Sequence, residues 1–287
     1  MNPMETLVQG LLLGGLYGLF ALGQSLMFGV MRLTNTAHGD FLILGAFSSL
    51  ALVALGLAPW VALLATLPLA WVAGYAMQRV VLNGTLGKDP LPSLVVTFGL
   101  SIVIQNLLLE LFSADPRSID SGGFDQLSWA VTDSLSVGVL PLTILALAVA
   151  ATAGLQWLFN HTALGRSFRA VSDDREIAEL MGLKSRQVYA LATALAFVLV
   201  GLAGTLQGMR TTVAPADGPM LLLFAFEAVI MGGMGSFWGT LAGAMLLGLT
   251  QQVGFRLDPG WGIWAGHLMF LTVLVLRPQG LFPKTRG

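Results

Sequence analysis

"TLVQGLLLGGLYGLFALGQSLMFGV", residues 6–30, runs for twenty-five residues without one charged side chain. About 20 consecutive apolar residues span the hydrocarbon core of a bilayer as a helix, so this stretch reads as a membrane span. The pattern recurs. Apolar runs also cover 41–56, 60–82, 92–112, 137–159, 188–210, 220–254 and 262–276. The 287 residues are 55% hydrophobic and 10% charged, with mean hydropathy +0.80. A soluble domain carries about 25% charged residues. These numbers predict an all-α, polytopic transmembrane helical bundle forming a single domain over 1–287. A transmembrane β-barrel would show alternating segments of about 10 residues, and none is present. The net charge of −1 argues against nucleic-acid binding. With no cysteine, thiol catalysis, Fe–S clusters and Cys–zinc sites are excluded. The opening "MNPMETLVQG" lacks Lys and Arg, so it does not read as a signal peptide and the first span is expected to be retained.

Charge asymmetry between the runs sets an expected topology. Segment 160–187 holds Arg166, Arg169, Arg175, Lys184 and Arg186; segment 79–90 holds Arg79 and Lys88; the C-terminus holds Arg277, Lys284 and Arg286. Segment 113–136 sets Arg117 against Asp115, Asp120, Asp125 and Asp133. The positive-inside rule places the first three in the cytoplasm and the fourth outside. Parity then puts the N-terminus outside. It asks the 35-residue run 220–254 to cross twice, hinged at Gly232, Gly233 and Gly235 in "GGMGS"; the alternative is one long tilted helix. The expectation is eight to nine crossings, including short or broken helices. Glycines recur at four-residue spacing, at Gly10/Gly14/Gly18, Gly204/Gly208, Gly235/Gly239/Gly243 and Gly262/Gly266. Small residues at that spacing let membrane helices approach closely.

Catalytic and nucleotide motifs are missing. "NGTLGKDP" (83–90) lacks phosphate-loop spacing, and Asp89 stands where Ser or Thr would bind the metal. "GGMGSFWG" (232–239) approximates a dinucleotide fingerprint, but Trp238 fills the place of the third glycine. There is no HExxH, and His38, His161 and His267 have no ligand spacing. No catalytic residue, metal or cofactor is expected.

Ionisable groups at membrane depth are costly and mark cavities or partners. "MRLTNTAHGD" (31–40) concentrates Arg32, Asn35, Thr36, His38 and Asp40 between the first two spans. It is either a cytoplasmic connector whose Asn and Asp cap the next helix, or a broken segment lining a permeation path. Thr97, Ser101 and Gln105, spaced i, i+4, i+8, share one helix face, with Glu110 beyond. Glu227 sits alone beside the glycine break. It either bonds a neighbouring helix or contacts a substrate.

One charged island interrupts the second half. In "TALGRSFRAVSDDREIAELMGL" (162–183), seven of 22 residues are charged. Asp173 with Glu176 has capping-box spacing. Ile177, Leu180 and Met181 make one apolar face, and Gly182 sits where a helix stops. A helix of about eight residues is too short to be stable alone and needs a surface to lie on.

The stretches "NTAHGDFLILGAF" (35–47), "TFGLSIVIQN" (97–106), the island, "GGMGSFWGTLAG" (232–243) and "LRPQGLF" (276–282) resemble the permease subunits of bacterial branched-chain amino acid ABC importers. The nearer likeness is to the shorter permease of the pair, the LivH type, nearly end to end. The resemblance implies a multi-pass permease of the bacterial inner membrane that moves branched-chain or other small amino acids inward. It implies as partners a second homologous permease, two cytoplasmic ATPase subunits that bind the ATP, and a periplasmic substrate-binding protein. It makes the island the loop that docks on the ATPase, with Ala170, Asp174, Ala178 and Gly182 at the family's small and acidic positions. Two positions depart from the pattern. Thr36 stands where a bulkier apolar residue is common, and Phe47 where Tyr is frequent. Related permeases carry urea, short amides or other small carboxylates. A stand-alone channel or secondary transporter is the rival class, and it has no need of a capped amphipathic helix on its cytoplasmic face.

Overall fold

A backbone in lipid has no water to bond, so apolar stretches resolve into helices whose hydrogen bonds are internal. In a computed structural model of the chain, which describes residues 3–86, 91–132 and 135–282, each apolar run becomes such a helix. Lys88, Asp89, Asp133, Lys284 and Arg286 lie outside the described residues. The first five apolar helices are α1 (Pro3–Met31), α2 (His38–Ala54), α3 (Pro59–Val80), α4 (Leu91–Phe112) and α5 (Val139–His161). Two island helices follow, α6 (Ala163–Asp173) and α7 (Arg175–Leu180). Then come α8 (Ser185–Arg210), α9 (Gly218–Gly232), α10 (Phe237–Leu257) and α11 (Trp261–Leu276). Six of these are long and apolar enough to cross a membrane by length and composition; α2 and α11 are shorter apolar helices. The run 220–254 is broken where expected. Gly233 (φ 106°) and Gly235 (φ 82°) turn the chain, and the Ser236 hydroxyl accepts from Gly239 N at 3.2 Å to start α10. Gly232 faces Gly239, and Gly243 faces Ala228, so α9 and α10 are an antiparallel hairpin rather than one helix. A feature absent from the sequence reading is the hairpin of β1 (Ser128–Thr132) and β2 (Leu135–Gly138) within the 113–138 loop.

The bundle is built around α1 and α8. Of their most apolar stretches, 83% and 78% are buried, against 28%, 22% and 28% in α3, α4 and α5, which present apolar faces outward. Glycine spacing explains the close approach. Gly10, Gly14 and Gly18 on α1 meet Leu249, Met245 and Leu241 on α10, one turn apart in antiparallel register. A Cβ at Gly10 would lie 2.8 Å from Leu249 Cα. On the far side, Gly45 of α2 and Gly201 of α8 leave room for only 3.0 Å at their crossing.

Two helices begin inside the bundle. After α1 ends, Arg32 turns the chain with φ 53°. The segment 32–37 then runs back beside α1, until His38 Nε2 bonds the Phe20 carbonyl at 2.7 Å. Phe20 lies eleven residues, roughly 16 Å, back along α1. From Leu33 on, the connector is therefore largely interior, with Arg32 exposed at its start. On the other side, α8 ends and the chain returns through Val213, which pairs with Arg117. It makes a tight turn at Pro215–Asp217 and starts α9 at Gly218. Gly39 and Gly218 meet so closely that a Cβ on either would strike the other segment's backbone.

The two ends of the bundle differ. At one end, Ser172 of α6 donates to the Gly29 carbonyl at 2.7 Å. The glycine break lies there too, and Leu281 N and Phe282 N extend from it to the Met231 and Gly232 carbonyls at 2.8 and 3.0 Å. The opposite end carries the 113–138 loop, tied down by Ile119 N to Gly208 O at 2.8 Å and by Trp60 against Phe124.

Candidate functional site

The site forms where the start of α2 meets α4 and the start of α9. Asn35 Oδ1 accepts from Ala37 N at 3.0 Å, a local turn that feeds the chain into α2. Thr36 and Thr97 share a hydroxyl–hydroxyl bond at 2.8 Å, and Thr36 N donates to Thr97 Oγ1 at 3.2 Å. Two turns farther along α4, Gln105 Nε2 donates to Ser101 Oγ at 3.1 Å and to Asp40 Oδ1 at 2.9 Å. The i, i+4, i+8 face of α4 is thus turned to the interior and reads against the α2 start. Glu110 is exposed and takes no part.

Asp40 is the hub of this cluster. It is 1% exposed and stands in the first turn of α2, where an acid suits the helix dipole. Asp40 also lies against Gly218, the first residue of α9. Among the described residues its Oδ2 has no hydrogen-bond partner, and neither have Asn35 Nδ2, His38 Nδ1 or either polar atom of Gln24 on α1. A carbonyl only accepts, so His38 donates through Nε2 and its Nδ1 is left an acceptor. Each buried unmet group costs about 1–3 kcal/mol. They are concentrated where α2 and α9 begin inside the bundle.

Glu227 is not in this cluster. It lies nine residues, roughly 13 Å, along α9 from Gly218. Its carboxylate bonds His267 Nδ1 of α11. Phe224 stacks between His267 and Tyr17, and Tyr17 donates to Gln251 of α10 at 2.6 Å. Four helices, α1, α9, α10 and α11, are pinned there. Sequence reasoning missed His267 because its partner is 40 residues away on another helix.

The island differs from the sequence reading in one detail. It forms two helices, and the cap of the second is Asp174, whose Oδ1 accepts from Ile177 N at 3.0 Å. Asp173 is still helical as the last residue of α6, so the Asp173–Glu176 capping box does not form; the extended backbone falls at Asp174 (φ −149°, ψ 109°). Glu176 is exposed in the first turn of α7, which has six residues rather than eight. Ala178 packs inward, Ala170 stays on the surface, and Gly182 ends the turn with φ 89°. Ile177, Leu180 and Met181 project outward, 59%, 86% and 81% exposed.

Apolar helices packed around interrupted segments and buried polar side chains define a polytopic membrane protein of the permease class. The chain belongs to the family described as "Branched-chain amino acid transport system / permease component", whose profile matches residues 6–276. It is similar to the high-affinity branched-chain amino acid transport system permease protein BraD of Pseudomonas aeruginosa, 27% identical over 98% of this chain and 96% of BraD. It is similar to the LivH permease of the equivalent system of Escherichia coli K12, 24% identical over 98% of this chain and 96% of LivH. It also matches LivM of that organism, 27% identical over 94% of this chain and 68% of LivM. These relatives are permease components of transport systems, not enzymes.

Proposed function

We propose that the chain is the membrane-spanning permease of a binding-protein-dependent ABC importer, taking branched-chain or other small amino acids into the cytoplasm. A second homologous permease, two ATP-binding subunits and a periplasmic binding protein complete the system, in a bacterial inner membrane. The N-terminus lies outside and the C-terminus in the cytoplasm. The observation that carries this reading is the free apolar face of α7. Ile177 and Leu180 on this six-residue helix and Met181 just after it stand exposed, and a cap and a positive-φ glycine hold the turn in shape. A helix so short is not stable by itself, and its exposed face fits a helix-in-groove partner. Its neighbour α6 is fastened to the end of α1 through Ser172, so a pull on α7 reaches the central helix. Gly232, Gly233 and Gly235 supply a hinge at the same end. The path runs past Asn35, Thr36, His38, Asp40, Thr97, Ser101 and Gln105, between the helix starts that Gly39 and Gly218 now close. The ATPases do the hydrolysis, and this chain supplies the path and the lever.

The test is Leu180→Asp. A charge placed in an apolar groove costs several kcal/mol. The variant should reach the membrane at normal level, lose the ATPase subunits on purification and fail to transport. Co-purification of the ATPases at wild-type yield overturns the docking role.

A further inference from the structure

The island end of α3, α7 and α8 encloses a cleft of about 680 Å³, whose lining includes Arg79, Arg175, Glu179, Lys184, Ser185 and Arg186. Among the described residues four cations thus face one acid, and Glu179 is already bonded by Arg175 at 3.0 Å. Two of the cations stand where helix physics disfavours them. Lys184 occupies the N-cap position of the 26-residue α8, with no side chain capping it, and Arg186 is in the first turn. That end of a helix carries about half a positive charge, and its cap position favours Ser, Thr, Asn or Asp. Ser185 between them is 1% exposed, and its hydroxyl completes no hydrogen bond. Glu179 is close enough for Ser185 and then Arg175 to hold it below the ordinary carboxylate range, but no bond of normal geometry joins it to Ser185. Local rules broken together in this way mark sites of function.

We propose that this cleft binds the phosphate of an anionic phospholipid headgroup. Its place on the molecule selects lipid over a free anion. Arg79 is in the last turn of α3, beside the exposed apolar side chains of Val72 and Val80. Its guanidinium lies over the Tyr75 ring, 6.0 Å from the centroid. An aromatic ring and a cation at the foot of a lipid-facing helix are the anchors of a membrane interface, so acyl chains can follow α3 while the phosphate enters the cleft. The site is separate from the proposed docking face of α7. Arg175 and Glu179 lie on one side of that helix, and Ile177, Leu180 and Met181 on the other.

The full chain, stripped of lipid in neutral detergent, is titrated with mixed micelles containing phosphatidylglycerol or phosphatidylcholine, with thermal unfolding as the readout. Wild type should be stabilised by phosphatidylglycerol and not by phosphatidylcholine. Each cation near an anionic surface changes affinity about fivefold. Arg79→Gln should therefore lose about fivefold, and Lys184→Gln with Arg186→Gln about 25-fold. Arg277→Gln, exposed at the end of α11 and outside the cleft, should match wild type. Arg79 stands on a different helix from the double variant, so a folding defect in one leaves the other informative. Equal response to the two lipids overturns the site. So does equal loss in Arg277→Gln. Stabilisation by millimolar inorganic phosphate that saturates the effect of phosphatidylglycerol overturns the lipid assignment. No arm measures transport, so the outcome is independent of the importer reading.

Discussion

Gln105→Leu tests whether Asp40 is the centre of the polar cluster. The change keeps the bulk of the side chain and removes the donor that reaches Asp40 Oδ1 at 2.9 Å and Ser101 Oγ at 3.1 Å. Asp40 has no water to turn to at 1% exposure, and its second oxygen is already unpartnered. A hydrogen bond to a charged group contributes ~1.5–3 kcal/mol and a neutral one ~1 kcal/mol. With the Ser101 bond lost as well, Gln105→Leu should destabilise the purified chain by roughly 3 kcal/mol. Asp40→Asn keeps the shape and the Oδ1 acceptor and tests whether Asp40 is held ionised. In that background the same substitution still removes two neutral bonds and should cost about 2 kcal/mol, so a coupling near ~1 kcal/mol marks an ionised Asp40. The assay is a double-mutant cycle of reversible unfolding in mixed micelles, with uptake per assembled complex measured on the same four proteins. Strict additivity, with Gln105→Leu costing the same beside Asp40 and beside Asn, refutes the reasoning. Normal uptake per complex in Gln105→Leu would remove this face of α4 from the path.

Two further predictions follow from the fold. Single cysteines at Asp125 and Lys184 lie at opposite ends of the bundle, in a chain with no native cysteine; they should label from opposite sides of intact spheroplasts, and labelling from one side alone would reverse the parity argument. Glu227→Gln keeps a hydrogen-bonding side chain for His267 and should be nearly silent, whereas Glu227→Leu strips the link from α9 to α11 and should cost about 2 kcal/mol in unfolding; a Gln variant that folds normally yet stops transport would instead make Glu227 part of the path.

The apolar runs marked the membrane helices to within a few residues, because length and hydropathy alone decide what can span lipid. The glycine break at 233–235 was legible for a different reason. On the positive-inside expectation one 35-residue helix leaves the basic C-terminus outside, so charge parity asked for a turn where small residues could make one. Depth was not legible. Nothing in "MRLTNTAHGD" says that His38 will bond Phe20 rather than face water, since the partner sits inside another helix. Asp40 was visible as a charge, but its role as hub depends on Gln105, 65 residues away. Spacing to Glu176 favoured Asp173 over the adjacent Asp174 as the cap. The extended backbone at Asp174 chose between them, and sequence spacing does not encode that choice.

The packing of α1 against α10 sets a waiting time for biosynthesis. Tyr17 and Gln251 are separated by 234 residues. At the ~5–20 residues per second of synthesis, α1 enters the bilayer on the order of ten to fifty seconds before the helix that fills its glycine notches exists. During that interval the notched face is covered by lipid, by α5 or by the insertion machinery. A chain cut short before α10 would leave that face permanently open. Made well before α10, α1 is therefore locked late, and quality control of nascent chains has a structural mark to read in the uncovered row of Gly10, Gly14 and Gly18.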